Sequence, residues 1–355
     1  MSDATTQTES TCNESICNEI ICNESICNES ICKENTCYEG TDENITESIN
    51  ESVIECSKES ILHKEENKVI EKIPEKPTDF DTLVLSGASS KGFLLLGSLQ
   101  YILDNHLHYK ISNYIGTSVG AMIGYLLAIG YTPIEIMVYV CTHRLLERIQ
   151  NLNLVAMING NGASSYTSIQ EQLEKMTIEK IGYLPTLGNL KTKFGKSLTC
   201  VTFNLTIEKI EYISSESHPD IPCLVALRMS ANLPFVFNNF KYNNSMYIDG
   251  GICDNFSIDI GEKIGNKVLG IYVSPDKDGE VNYNDLGVIE YIYRLMFIPI
   301  SQATQAKIQS VNINTKIIRL QTDTIRFFDF DLSGQQKMQL FSDGYQQTKI
   351  SFENE

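Results

Sequence analysis

Tyr114-Ile115-Gly116-Thr117-Ser118-Val119-Gly120-Ala121 is a G-x-S-x-G match, entered from an apolar run and left through a helix-forming one. In such an elbow the serine sits on a sharp strand-to-helix turn, where flanking side chains collide with neighbouring backbone. Gly116 and Gly120 relieve that crowding and expose the Ser118 hydroxyl at a helix N-terminus, whose amides favour developing negative charge. Upstream, Asp81-Thr82-Leu83-Val84-Leu85 reads as a buried strand running into the turn Ser86-Gly87-Ala88-Ser89-Ser90-Lys91-Gly92. Far downstream, Met246-Tyr247-Ile248-Asp249-Gly250-Gly251 sets a carboxylate at the end of another short apolar run. A serine, a donor-rich turn and an acid together suggest hydrolysis of an acyl ester.

Around these pieces the chain alternates short apolar runs with longer helical ones from Phe80 onward, the pattern of β-α units and a mostly parallel sheet. Strands are expected at Leu83–Leu85, Asn113–Ile115, Met246–Ile248 and Lys267–Val273, and a hairpin at Ser197–Phe203 with Lys209–Ser214. Helices are expected at Gly92–Asn105, Val119–Ala128, Cys223–Ser230, Val288–Ile300 and Gln302–Gln309. The domain reading is a tail and linker over residues 1–78, a catalytic domain over 79–287, and a mainly helical C-terminal extension over 288–355 packing on it.

Charge divides the chain the same way. Of 45 acids and 28 bases, residues 1–80 hold 19 acids and six lysines, leaving 26 acids against 22 bases in the body. Neither part carries the basic stripe that nucleic acid requires, so no nucleic-acid partner is expected. Cys12, Cys17, Cys22, Cys27, Cys32 and Cys37 recur every five residues in Cys-Asn-Glu-Ser-Ile units. A step of five gathers residues on no single helix face and alternates strand faces, so the repeat reads as a solvated, disordered acidic tail. The four body cysteines, Cys141, Cys200, Cys223 and Cys253, lack metal-ligand spacing, and no metal or cofactor is expected. With no leader-like or membrane-spanning run, the expected location is cytoplasmic, with peripheral contact at membranes.

A serine hydroxyl is a poor nucleophile at neutral pH and needs a base. The five histidines are His63, His106, His108, His143 and His218; none follows Asp249, as the serine-acid-histidine order of α/β-hydrolases requires. The remaining candidate base is a carboxylate. Asp249 stands at a strand end, before two glycines that let the backbone turn away from it.

These pieces, in this order, resemble the patatin-like phospholipases, lipid acyl hydrolases that use a Ser-Asp dyad. The resemblance covers roughly Phe80 to Val273 and extends to Arg228-Met229-Ser230-Ala231-Asn232-Leu233-Pro234-Phe235-Val236-Phe237. It implies a three-layer fold with a central sheet flanked by helices, Ser118 and Asp249 as the catalytic pair, and an oxyanion hole at Gly87, Ala88 and Ser89. Lys91, Gly92, Gly116, Gly120, Gly250 and Gly251 support the motifs. It implies a phospholipid or other acyl-lipid substrate, transient contact with a membrane surface, and no cofactor. The departure lies in the first turn, where Ala88 and Ser89 replace two of the family's glycines; a positive φ there costs a residue with a Cβ about 1 kcal/mol. Two other readings stay open: a non-catalytic or partner-activated binding protein of the same fold, and a small-ester or thioesterase-type hydrolase. Phe93–Leu96 and Tyr291–Ile300 fit an acyl groove, a membrane-facing surface or plain core alike.

Overall fold

A computed structural model of the chain describes residues 80–143, 164–274, 288–322 and 331–354. The expected tail of residues 1–78 lies outside them. In chain order the described elements are β1 (Thr82–Leu85), a 3-10 turn (Ser89–Lys91), α1 (Gly92–Asp104), β2 (Asn113–Thr117), α2 (Val119–Ala128), α3 (Pro133–Thr142), α4 (Thr167–Ile181), α5 (Leu187–Phe194), β3 (Ser197–Asn204) and β4 (Lys209–Ile213). There follow α6 (Cys223–Ser230), β5 (Phe240–Tyr242), β6 (Ser245–Asp249), a 3-10 turn (Gly250–Ile252), α7 (Ile258–Ile264), β7 (Val268–Val273), α8 (Val288–Gln309), β8 (Thr315–Leu320) and α9 (Gly334–Glu353).

The expected α/β architecture is present, a central sheet flanked by helices. Strands run in the order β5-β6-β3-β2-β1-β7-β8, with β4 also on β3. The pairs β1–β2, β1–β7, β2–β3 and β7–β8 are parallel, whereas β3–β4, β3–β6 and β5–β6 are antiparallel. Alternate residues of each strand enter opposite faces, as a period of two demands. Leu83, Leu85, Leu198, Cys200, Leu269 and Ile271 join one core with α1, α2 and α6. Val84, Ile115, Val201, Val268 and Tyr272 join the other, under Phe256 and Ile258. Both faces are covered, which is why the parallel strands read as continuous apolar runs.

The sequence reading places no elements at α3, α4, α5, β5 and α7, and two more differ from it in the C-terminal part. Val288–Gln309 is one helix rather than two, running through Pro299, and Thr315–Leu320 is a strand that was not expected. β8 buries Ile318 and Leu320, two apart, and pairs in parallel with β7 from Val268↔Thr315 to Val273↔Leu320. The C-terminal part thus extends the sheet as well as covering it with α9. Among the described residues no single helix is long and apolar enough to cross a membrane.

The α1–α9 crossing is a backbone-to-backbone contact. A Cβ on Gly97 would lie 1.8 Å from the Phe341 carbonyl oxygen, and one on Gly344 would lie 2.1 Å from that of Leu94. The Thr348 hydroxyl reaches Ser98 Oγ at 2.6 Å in the same seam. Gly97→Ala gains about 1 kcal/mol of helix propensity, but it must push two rigid backbones apart, and overpacking costs about 1–3 kcal/mol. The expected result is a net loss of stability in urea denaturation, opposite in sign to the propensity scale.

Candidate active site

The site is assembled along one edge of β3. β2 runs beside β3 as far as Thr117, opposite Val201, and β6 ends at Asp249, opposite the next residue, Thr202. β4 fills the other edge of β3 over Cys200–Asn204, so β2 and β6 must share the remaining one, the second beginning where the first stops. The chain ends that carry Ser118 and Asp249 therefore meet at consecutive positions of a single strand.

At the first of these ends Ser118 has φ 55° and ψ −121°, a conformation that side chains with a Cβ rarely adopt. It caps α2, whose N-terminal end carries partial positive charge. Gly120 lets the helix start against β1: a Cβ there would lie 2.5 Å from the Ser86 carbonyl oxygen, and one on Gly116 would lie 2.4 Å from the Ala121 nitrogen. The strained elbow is pinned by Ser230, a buried residue at the end of α6. Its hydroxyl accepts from the Ser118 amide at 2.9 Å and donates to the Val201 carbonyl at 2.6 Å.

At the second end the Asp249 amide donates to the Asn232 carbonyl at 2.9 Å, and Asn232 Nδ2 donates to the Tyr247 carbonyl at 2.7 Å. The Asp249 carboxylate is buried, one oxygen accepts from the Gly251 amide at 2.7 Å, and the carboxylate lines the same cavity as Ser118. Burial pushes its pKa up to about 6, against the neighbouring Ser118 side chain and the Gly251 amide, which pull it down.

The glycine-poor turn divides in three. The Gly87 amide donates to the Asn255 carbonyl at 3.1 Å, and Asn255 Nδ2 donates back to the Gly87 carbonyl at 3.2 Å. This corrects the expectation that Gly87 belongs to the oxyanion hole: its N–H is already committed, and the residue serves as an anchor. The amides of Ala88 and Ser89 have no acceptor among the described residues. Ala88 keeps an ordinary φ of −141°, whereas Ser89 takes the left-handed value, 48°. The Ser89 hydroxyl is buried with no partner among the described residues. Lys91, which opens α1 next to Gly92, is buried rather than solvated.

Ser118, Asp249, Ala88 and Ser89 line one cavity of about 1160 Å³, open mouth included. Its walls are apolar, among them Phe93 and Leu96 from α1, Met122 and Leu126 from α2, and Phe297 from α8. No histidine is among the lining residues, and His106 and His108 pack around Tyr109 away from it. The arrangement offers a hydroxyl, a buried base and two unpaired amides at one end of an apolar pocket.

The family description Patatin-like phospholipase matches residues 83–261. The chain belongs to that family. It is 38% identical over 198 residues to the probable lipid hydrolase 463L of Invertebrate iridescent virus 6, covering 54% of this chain and 67% of that one. It is 26% identical over 307 residues to the uncharacterized protein R571 of Acanthamoeba polyphaga mimivirus, covering 80% and 97%. Among solved structures, VipD from Legionella pneumophila superposes with a TM-score of 0.49 at 16% identity, over 78% of this chain and 67% of that one. Membership supports hydrolysis of a lipid.

Motif reading of this patatin-like chain missed Ser230, Asn232 and Asn255, each acting through backbone contacts with residues remote in sequence. Two substitutions test the local physics. Ser89→Gly removes both a left-handed side chain and an orphaned hydroxyl, against about 0.5–1 kcal/mol of added chain entropy; a gain of about 1 kcal/mol in urea unfolding is expected. Ser230→Ala leaves the Ser118 N–H and the Val201 carbonyl unmatched, and a loss of about 1–3 kcal/mol in the same assay is expected.

Proposed function

We propose that the protein is a lipid acyl hydrolase of the phospholipase A type, cleaving fatty-acyl esters by a Ser118–Asp249 dyad. The observation that carries the reading is the convergence of Ser118 and the buried Asp249 on one apolar cavity, beside the unpaired amides of Ala88 and Ser89.

Asp249 takes the Ser118 proton as Oγ attacks the ester carbonyl carbon, and the carbonyl π pair moves onto oxygen. The Ala88 and Ser89 amides and the α2 terminus meet that charge without reorganising. Collapse expels the alcohol, which receives the proton from Asp249, and leaves an acyl-enzyme. Water then attacks with the same base, releasing the fatty acid and restoring Ser118. The raised pKa of Asp249 suits the role, because a base near the working pH accepts a proton at little cost and returns it as readily. Extended apolar walls favour a long acyl chain over the small-ester alternative.

The test is turnover of chromogenic esters of short and long acyl chains by the purified chain. Long-chain turnover is expected, with Ser118→Ala and Asp249→Asn each lowering kcat by about a thousandfold or more. An inactive parent chain would favour the non-catalytic binding reading, and equal turnover of both chain lengths the small-ester one.

The base must be ionised, so kcat/KM is expected to rise about tenfold per pH unit up to about 6 and then level. The same ionisation acts on stability. A carboxylate whose folded pKa exceeds its ordinary 3.8 binds its proton more tightly when folded, so stability falls as pH rises from about 4 to about 6. Two units correspond to about 3 kcal/mol. Asp249→Asn is therefore expected to melt above the parent chain at pH 8, with the gap closing towards pH 4.

A further inference from the structure

The cavity follows α2 inward from the site. Ser118, Val119, Met122, Ile123 and Leu126 line it, steps that keep to one face of the helix for two turns. Exposure falls along that face: Val119 and Met122 are half-buried, whereas Ile123 and Leu126 are buried. The polar residues of the lining are Ser89, Ser90, Ser118, Asp249 and Asn255, which all belong to the turns of the site. Every other wall residue is glycine or apolar. The mouth and the chemistry therefore lie together at the start of α2, and the inner end takes hydrocarbon alone.

That inner end is closed and fastened. α3 leaves α2 at a bend of 120° and adds Ile136 to the lining, while α4 adds Ile169, Leu173 and Met176 from one of its faces, all four buried. Next to Leu126, the Tyr125 hydroxyl lies 3.0 Å from Thr177 Oγ1, which itself donates to the Leu173 carbonyl at 2.6 Å. Both side chains are buried, where a hydrogen bond is not weakened by water. The Tyr131 hydroxyl donates to the Met176 carbonyl at 2.9 Å. α3 is tied to α4 by the Tyr139 hydroxyl on Gln172 Oε1 at 2.9 Å and by Lys180 with Glu135 at 3.2 Å. Walls packed and cross-tied in this way do not admit a further methylene without strain.

We propose that Leu126 and Met176 form a fixed stop at the inner end of the cavity and so determine acyl-chain length, the site measuring straight chains of about ten carbons. The inference rests on the acyl-hydrolase reading for the kind of ligand. From Ser118 to Leu126 is eight positions, or about 12 Å of helix rise. An extended chain advances about 1.2 Å per bond, so about ten carbons span the distance from the nucleophile to the stop. Up to that length each added methylene exchanges water for apolar wall, worth about fourfold in affinity. Beyond it the next methylene finds no buried place. Leu126 and Met176 touch no reacting atom; they set specificity.

The experiment is calorimetric titration of the full chain carrying Ser118→Ala with straight-chain methyl ketones of increasing length. These offer a carbonyl to the Ala88 and Ser89 amides, bring no charge against Asp249 and are not turned over. Affinity is expected to rise about fourfold per methylene and then to level at about ten carbons. Met176→Ala and Leu126→Ala, each deepening the stop, are expected to move the break to longer chains, and Met122→Trp, one turn in from Ser118, to shorter ones. Melting curves certify that each variant is folded. In the chain with Ser118 restored, kcat/KM on chromogenic esters is expected to break at the same length and to shift in the same directions. An affinity that climbs without a break to hexadecyl chains, or a break that none of the substitutions moves, overturns the proposal. Ester hydrolysis with no break at any length overturns the stop and leaves the activity reading standing. The expected breaks in binding by a chain that hydrolyses no ester overturn the activity reading alone.

Discussion

Everything at the site depends on β3 offering one edge to two strands in succession. β2 gives it up after Val201 and β6 takes it from Thr202, and the break between them is where both functional side chains emerge. A single continuous partner along that edge would leave no junction at which two strand ends meet. The end of α6 locks the junction from above: Ser230 holds the Ser118 amide and Asn232 the Asp249 amide, two residues apart on one short segment. Thr202 adds to the lock, its hydroxyl 3.0 Å from the Met229 carbonyl and 2.9 Å from that of Ile248. The elbow's strained backbone persists because so many bonds determine it from outside.

Two buried carboxylates five positions apart show how environment separates structure from chemistry. Asp254 has a full set of partners: Lys307 Nζ at 2.8 Å on one oxygen, and the Tyr212 and Ser257 hydroxyls at 3.0 and 2.8 Å on the other. Its carbonyl also accepts from Thr117 Oγ1 at 3.2 Å, tying the network to the residue before the elbow. Asp249 is equally buried, and no cation stands among the causes of its shift, so desolvation dominates and its proton affinity rises. Asp254 is a joint between α8 and the sheet, and Asp249 is poised to take a proton.

The core of this arrangement was legible in the sequence because its chemistry is local. The G-x-S-x-G elbow, the first turn and the Asp-Gly-Gly corner each announce themselves within a few residues, and an absent late histidine points to the carboxylate by elimination. What was not legible is non-local. Gly87 looks like a donor until Asn255, far along the chain, is seen to occupy its amide. Ser230 looks like an ordinary helix-end serine, and only β3 gives its hydroxyl a purpose. β8 has too few apolar residues to announce a strand, and β7 supplies the edge that makes it one. In each case the deciding partner lies across the sheet, and hydrogen bonds to backbone leave no trace in side-chain pattern.

The apolar stretches mark the same boundary from the other direction. Phe93–Leu96 and Tyr291–Ile300 are both largely apolar in composition, yet they divide differently between core, cavity and surface. Leu94 and Leu95 are wholly buried, while Phe93 and Leu96 turn to the cavity, so every residue of that run is accounted for by packing and site. Tyr291–Ile300 has apolar residues left over after its inward face is filled. Periodicity reports how many faces of a helix are apolar, and only the fold reports how many faces the rest of the chain covers.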